Sequence, residues 1–167
     1  KRLKLDAVWW IVSPANPLKD PASLAPFEKR YHYAQALIAS HPRLYVCDIE
    51  ERHHLRFTID TVRSLRIRLP QHQFVWLMGS DNLAQFHHWK QWEEIAAALP
   101  IAVLDRSNAI HRALRMRFAV RFAARRNGLG SLPSWNTVFI HRHPLSATNL
   151  RKTLGENAFS PYNNKIK

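Results

Sequence analysis

Five short apolar runs, each followed by an amphipathic stretch, constrain this 167-residue chain more than any other feature. "DAVWWIVSP", "RLYVCDIE", "HQFVWLMGSDN", "IAVLDR" and "NTVFIH" are rich in β-branched and aromatic residues, as buried strands are. Between them the apolar period changes. In "PFEKRYHYAQALIASH", Phe27, Tyr31, Ala34 and Ile38 recur at helical spacing, and His41-Pro42 closes the segment. "FTIDTVRSLRIRLP" predicts a second helix with Thr58 as N-cap and Pro70 as its stop. "NLAQFHHWKQWEEIAAALP" predicts a third, and "AIHRALRMRFAVRFAARRNG" a fourth with Ile110, Leu114, Phe118 and Phe122 on its apolar side. "PLSATNLRK" opens a last one. Alternation of strand and helix implies right-handed crossovers onto one parallel sheet with helices on both faces, a doubly wound α/β fold in three layers.

The length suits a single domain spanning 1–167, with a frayed tail over 156–167. No apolar run approaches the roughly 20 residues that cross a bilayer. The lone Cys47, inside "RLYVCDI", reads as a buried strand residue in a chain of a reducing, cytoplasmic compartment. Formal charge is +13, and it is unevenly spread. Eleven of the twelve acidic residues lie at or before Asp105, and none occurs from Arg106 through Gly155. Such asymmetry points to an anionic partner, whether nucleotide, RNA or acidic protein, or else to a basic solvated face.

In open parallel sheets ligands bind beyond the carboxyl ends of the strands. The residues there form a polar, mixed-charge set. "GSD" after the third run joins a glycine, which lets a ligand approach the backbone, to Asp81, which can accept from a hydroxyl or serve only as a helix cap. Trp89 and Trp92 lie three residues apart in the predicted third helix. One belongs to the core, and the other offers an indole face to a flat heteroaromatic ring. "PLSATNLR" places Arg151 in the opening turns of a helix, where a cation opposes the macrodipole. A phosphate chain bound to the free amides beside Ser146 and Thr148 would reconcile the two, with Arg151 pairing to it; the plainer reading is a capped helix with a surface arginine. The adjacent histidines at 53–54, 87–88 and 141–143 point apart on a regular element and lack cysteines, so they make no zinc site. Neither a Walker A sequence nor G-x-S-x-G is present.

Together these elements resemble bacterial nicotinate-nucleotide adenylyltransferase, in the nucleotidyltransferase superfamily with an H-x-G-H or T-x-G-H signature. "VWWIVSPANPLK" is similar to that family's strand and Pro-rich loop ending in lysine, here Lys19. "RFTIDTV" is similar to S-Y-T-x-x-T, "FVWLMGSDNLAQFHHWKQWEEI" carries the G-x-D and the tryptophan, and "PLSATNLR" resembles I-S-S-T-x-I-R. Phe57 replaces a tyrosine, Ala147 a serine, and Ser107 stands where proline is frequent. The family's G-G-S-F-x-P-x-H-x-G-H loop has no match. The resemblance therefore implies a Rossmann-like nucleotidyltransferase fold whose first strand is absent, with about 25 residues of strand, loop and helix expected before "KRLKLD". It leaves the catalytic residues unassigned, because the signature histidines belong to that loop.

The resemblance implies transfer of an adenylyl group from ATP to nicotinate mononucleotide, giving the deamido dinucleotide and pyrophosphate. It puts ATP on Gly79, Asp81, Ser146, Thr148 and Arg151, and nicotinate mononucleotide on Lys19, Phe57, Thr58 and Trp89. Mg²⁺ would arrive on the triphosphate rather than in a protein cage. Two rival readings stand beside it. One is a sister adenylyltransferase with another phosphorylated substrate. The other is an inactive descendant that binds RNA or a ribonucleoprotein through Arg112, Arg115, Arg117, Arg121, Arg125 and Arg126.

Overall fold

The computed structural model describes residues 3–14, 25–105, 111, 114–123 and 131–139. All five apolar runs become strands: β1 (Val8–Ile11), β2 (Leu44–Cys47), β3 (Trp76–Gly79), β4 (Ile101–Asp105) and β5 (Trp135–Phe139). Every pairing between them is parallel. Six α-helices are described: α1 (Phe27–Ile38), α2 (Ile49–Arg52), α3 (Thr58–Arg68), α4 (Ser80–Gln85), α5 (Trp92–Ala98) and α6 (Arg117–Arg121). The α/β class and the parallel sense expected from the alternation are observed, but the described strands pair as two sheets, β1-β2 and β3-β4-β5, where the alternation predicts one, because no described strand bridges β1-β2 to β3. The chain divides into two compact units, Lys1–Arg56 with Pro144–Lys167, and Phe57–His143.

In the first unit β1 and β2 form a two-stranded sheet in the register Val8↔Leu44 to Ile11↔Cys47. Helix α1 packs on β2 and buries Ala34. The sequence predicts β1 as a buried strand, and the structure corrects this. Trp9 and Trp10 point to opposite faces and are 37% and 46% exposed; among the described residues of this unit, β2 and α1 leave both faces of β1 partly open. Beyond β1, Arg30 of α1 holds the chain on either side of residues 15–24. Its guanidinium donates to the carbonyls of Ser13 (2.6 Å), Pro14 (2.9 Å) and Ala25 (2.8 Å).

In the second unit the sheet order is β3-β4-β5, with Gly79 beside Leu104 and Asp105 beside Phe139. Ile101, Ala102 and Val103 of the central β4 are fully buried, as a parallel strand with neighbours on both sides requires. The core is aromatic at its centre. The Phe86 ring lies 5.1 Å from Phe118 and 5.3 Å from Trp89, both edge to face, and Phe118 continues to Trp135 at 5.5 Å. The indole N–H of Trp135 donates to the carbonyl of Phe122 at 2.9 Å, so the ring is buried with its polar atom satisfied.

Three helix expectations need correction. Thr58 is the first residue of α3 and Phe57 its extended N-cap, without a side-chain cap bond. The third predicted helix is broken into α4, a 3₁₀ turn over Phe86–His88 and α5. Trp89 is extended there (φ −73°, ψ 142°) and Gln91 is left-handed (φ 50°). Packing of three rings, Phe86, Trp89 and Trp92, against one core overrides the local helical propensity of the segment. In the fourth, α6 begins only at Arg117, after a turn and bend over residues 114–116; Leu114 and Phe122 still pack against the core.

Candidate active site

The carboxyl edge of β3 turns sharply into α4, and this positions the G-x-D pair. Gly79 ends the strand, buried and extended (φ −79°, ψ 160°), and serves as the N-cap residue of α4. Asp81 follows in the first helical turn and is exposed. A buried backbone that stops at a glycine and then presents a carboxylate to solvent is an arrangement that can receive the hydroxyls of a nucleoside. On the neighbouring strand, Asp105 ends β4 one residue beyond Leu104, the register partner of Gly79; it is 1% exposed and so belongs to the interior.

The second pair of elements brings Phe57 and the segment after Trp89 together. Phe57, half-buried, packs against the core at the head of α3, and Trp89 packs against the same core through Phe86 and, edge to face at 6.4 Å, through Trp76. The Lys90 ammonium lies 4.3 Å from the centroid of the Phe57 ring, a cation-π contact. It links the helix break to the start of α3. On the solvent side Arg63 of α3 donates from Nε and Nη2 to the two carboxylate oxygens of Glu94 in α5, at 2.9 and 2.7 Å. Gln91 adds a bond to the same carboxylate at 3.0 Å.

Several expectations are sharpened or changed by this geometry. Gly79, Asp81, Phe57, Thr58 and Trp89 all lie in the second unit. Trp89 and Trp92 do not divide into one core ring and one free ring; both are partly buried against the core. Lys19, Ser146, Thr148 and Arg151 lie outside the described residues, as does the tail over 156–167. Lys90 and Arg63 were missed by sequence reasoning. A lysine and an arginine on amphipathic segments carry no local signal, and only the turn at Trp89 brings Lys90 over Phe57.

Electrostatics around the site are set by burial. His87, two residues before Trp89, has its imidazole pushed below its ordinary range, first by burial and then by the charges of His88, whose tilted ring lies 3.9 Å away, and of Arg117. Of the six arginines in the RNA-binding alternative, Arg115, Arg117 and Arg121 are described and exposed, and Arg121 is paired with Glu93 at 2.9 Å. Away from the predicted residues, Trp9, Tyr31, Tyr45, Cys47, Asp48 and Arg52 line a groove of about 460 Å³ in the first unit. Burial raises the Cys47 thiol above its usual range, so the cysteine there is a poor nucleophile at neutral pH.

Parallel strands alternating with helices, with β3 ending at Gly79 and turning directly into α4, make a Rossmann-like α/β arrangement. The cytidylyltransferase-like family model matches residues 1–153. The probable nicotinate-nucleotide adenylyltransferase of Brucella abortus (strain 2308) is 41% identical over 164 residues, covering 91% of this chain and 82% of the relative. That of Cereibacter sphaeroides (strain ATCC 17025) is 44% identical over 158 residues, covering 92% and 84%. Among solved structures, Plasmodium falciparum nicotinic acid mononucleotide adenylyltransferase complexed with NaAD aligns with a TM-score of 0.66 at 16% identity, over 91% of this chain and 71% of that one. The likeness at that identity is one of fold. The chain belongs to the cytidylyltransferase-like family, among the nicotinate-nucleotide adenylyltransferases.

Proposed function

We propose that this protein is an enzyme that transfers the adenylyl group of ATP to nicotinate mononucleotide, forming the deamido dinucleotide of NAD biosynthesis. A phosphate oxygen of the mononucleotide attacks the α-phosphorus of ATP. The bond from that phosphorus to the bridging oxygen breaks, and pyrophosphate leaves with the electron pair. The observation that carries this reading is the 41% and 44% identity to nicotinate-nucleotide adenylyltransferases over more than nine-tenths of the chain. It favours adenylyl transfer over the RNA-binding alternative.

In such transfers the protein contributes chiefly by positioning the reactants and stabilising charge. On this reading Gly79 and Asp81 hold the nucleoside of ATP. Phe57, Thr58 and Trp89 receive the pyridine ring and its carboxylate. Ser146, Thr148 and Arg151 take the triphosphate, and Lys19 the mononucleotide phosphate. Among the described residues no three His, Cys, Asp or Glu side chains come together as a metal-binding group. A Mg²⁺ brought in on the triphosphate would neutralise charge on the phosphates. No helix among the described residues is long and apolar enough to cross a membrane. The enzyme role named for the relatives supports placing the reaction in the cytoplasm, and we take 1–167 as one domain.

The test is a coupled assay with ATP and nicotinate mononucleotide that measures dinucleotide and pyrophosphate together. Both products should appear in equal amounts, and Trp89→Ala should raise the KM for the mononucleotide by roughly tenfold or more, since stacking on an aromatic base is worth ~1–3 kcal/mol. Pyrophosphate without dinucleotide, or neither product, would sink the reading.

A further inference from the structure

We infer that Arg30 is a positioning residue for the mononucleotide phosphate: one guanidinium holds the chain before residue 15 and after residue 24, and Lys19 meets the phosphate from between those two anchors. The inference rests on the nicotinate mononucleotide reading above and adds to it the side chain through which Lys19 is placed. Arg30 donates from Nη1 to the Ser13 carbonyl at 2.6 Å, from Nη2 to that of Pro14 at 2.9 Å and from Nε to that of Ala25 at 2.8 Å. Ser13 and Pro14 leave the carboxyl end of β1, just past Val12, whose amide still donates to the Cys47 carbonyl at 3.0 Å. Ala25 and Pro26 lead into α1, and Pro26 makes no side-chain cap bond to that helix. A single side chain therefore joins a strand end to a helix start.

Stability of α1 does not account for this arrangement. Arg30 lies in the opening turn of the helix, where a cation opposes the macrodipole. Burial pushes its pKa below the ordinary value, and the charge of Glu51 offsets this only in part. None of the three bonds goes to a carboxylate; all take neutral carbonyls on two separate stretches of backbone. A guanidinium is suited to that task. Its donors are fixed in one plane and reach several acceptors at once, whereas a lysine ammonium is a compact point charge. The Phe27 ring centroid, 5.7 Å from the guanidinium carbon, adds a contact on the same helical turn. A segment with free ends must be ordered when a ligand binds, and that ordering opposes binding. Ends already fixed on Arg30 remove part of this entropy loss. The benefit falls on the group that the segment contacts, here the phosphate whose oxygen attacks ATP.

The test measures, by calorimetry, binding of nicotinate mononucleotide and of its nucleoside without the phosphate. The proteins are the full chain, Arg30→Met, Arg30→Lys, Lys19→Ala and the double variant Arg30→Met with Lys19→Ala. Arg30→Met, which keeps the aliphatic stem, should lose about tenfold in affinity for the mononucleotide and less than about twofold for the nucleoside. In the Lys19→Ala background the same change should lose less than about twofold, because the group it positions is gone. Arg30→Lys should behave as Arg30→Met does, since a charge without the fork cannot hold both stretches. Full affinity in Arg30→Lys, equal loss toward both ligands, additive losses in the double variant, no loss in Arg30→Met, or a Lys19→Ala chain that binds like the parent would overturn the inference. Each of these leaves the adenylyltransferase reading in place, whereas a parent chain that binds neither ligand would remove both. A melting temperature for Arg30→Met within a few degrees of the parent separates loss of the clamp from loss of the fold. If that variant melts much lower, Arg30→Lys, compared on the two ligands below its own melting temperature, carries the same test.

Discussion

Trp89 draws its environment from one residue's backbone. Extended where its neighbours in sequence are helical, it turns an indole that a regular helix would carry on its flank into a cap on Phe86 and Trp76. Cys47 illustrates the reverse, a residue whose behaviour follows from simple burial. It is half-buried on β2, and burial, reinforced by the negative charges of Asp48 and Glu50, keeps the thiol protonated. We expect Cys47 to react with iodoacetamide at pH 7.5 at least about tenfold more slowly than a free peptide thiol, and denaturant to remove the difference. A rate equal to that of glutathione in the native protein would contradict the buried-strand reading. Asp81 and Thr58, by contrast, were legible from sequence in position and only partly in role. The motif placed both at element starts, but Thr58 proved to be the first helical residue and not the cap.

At the scale of elements, α3 and α5 are joined by one well-formed clamp. Arg63 and Glu94 pair through two parallel hydrogen bonds, though both side chains are 45% exposed. Exposed pairs contribute little, and a bidentate one belongs near the top of that range, ~0.5–1 kcal/mol. A double-mutant cycle with Arg63→Ala and Glu94→Ala should return a coupling of about that size in urea unfolding, reduced by half or more in molar salt. Coupling indistinguishable from zero at low salt would mean the clamp is decoration on a contact made by α3 and α5 packing alone. Strand positions were legible because β-branched and aromatic runs bounded by Gly, Pro and Asp have few other uses. The break between α4 and α5 was not, since nothing in "FHHWKQW" stops a helix; the three rings stop it by competing for one core.

For the molecule as a whole, pH should act through His87. Its folded-state pKa lies below the ordinary value of 6.5, so the unfolded chain takes up a proton more readily than the folded one. Stability from the neutral ring is complete above about pH 6.5 and is lost as pH falls toward the lowered folded value. The melting temperature should therefore drop between pH 7 and 5, and His87→Gln should flatten that part of the profile. His87→Gln with an unchanged slope would assign the pH dependence to other groups.

What the amino-acid sequence by itself determined is the order of strands and helices, their parallel sense and the G-x-D turn at the end of β3. Each follows from patterns only a few residues long, apolar runs with period two or less and a glycine where the strand must stop. Tertiary structure alone decided that Trp89 and Trp92 both serve the core, that Trp9 and Trp10 of β1 stay partly uncovered, and that Lys90 lies over Phe57. Those outcomes depend on which rings fill a shared volume and on which surfaces are covered, and residues on separate elements settle both.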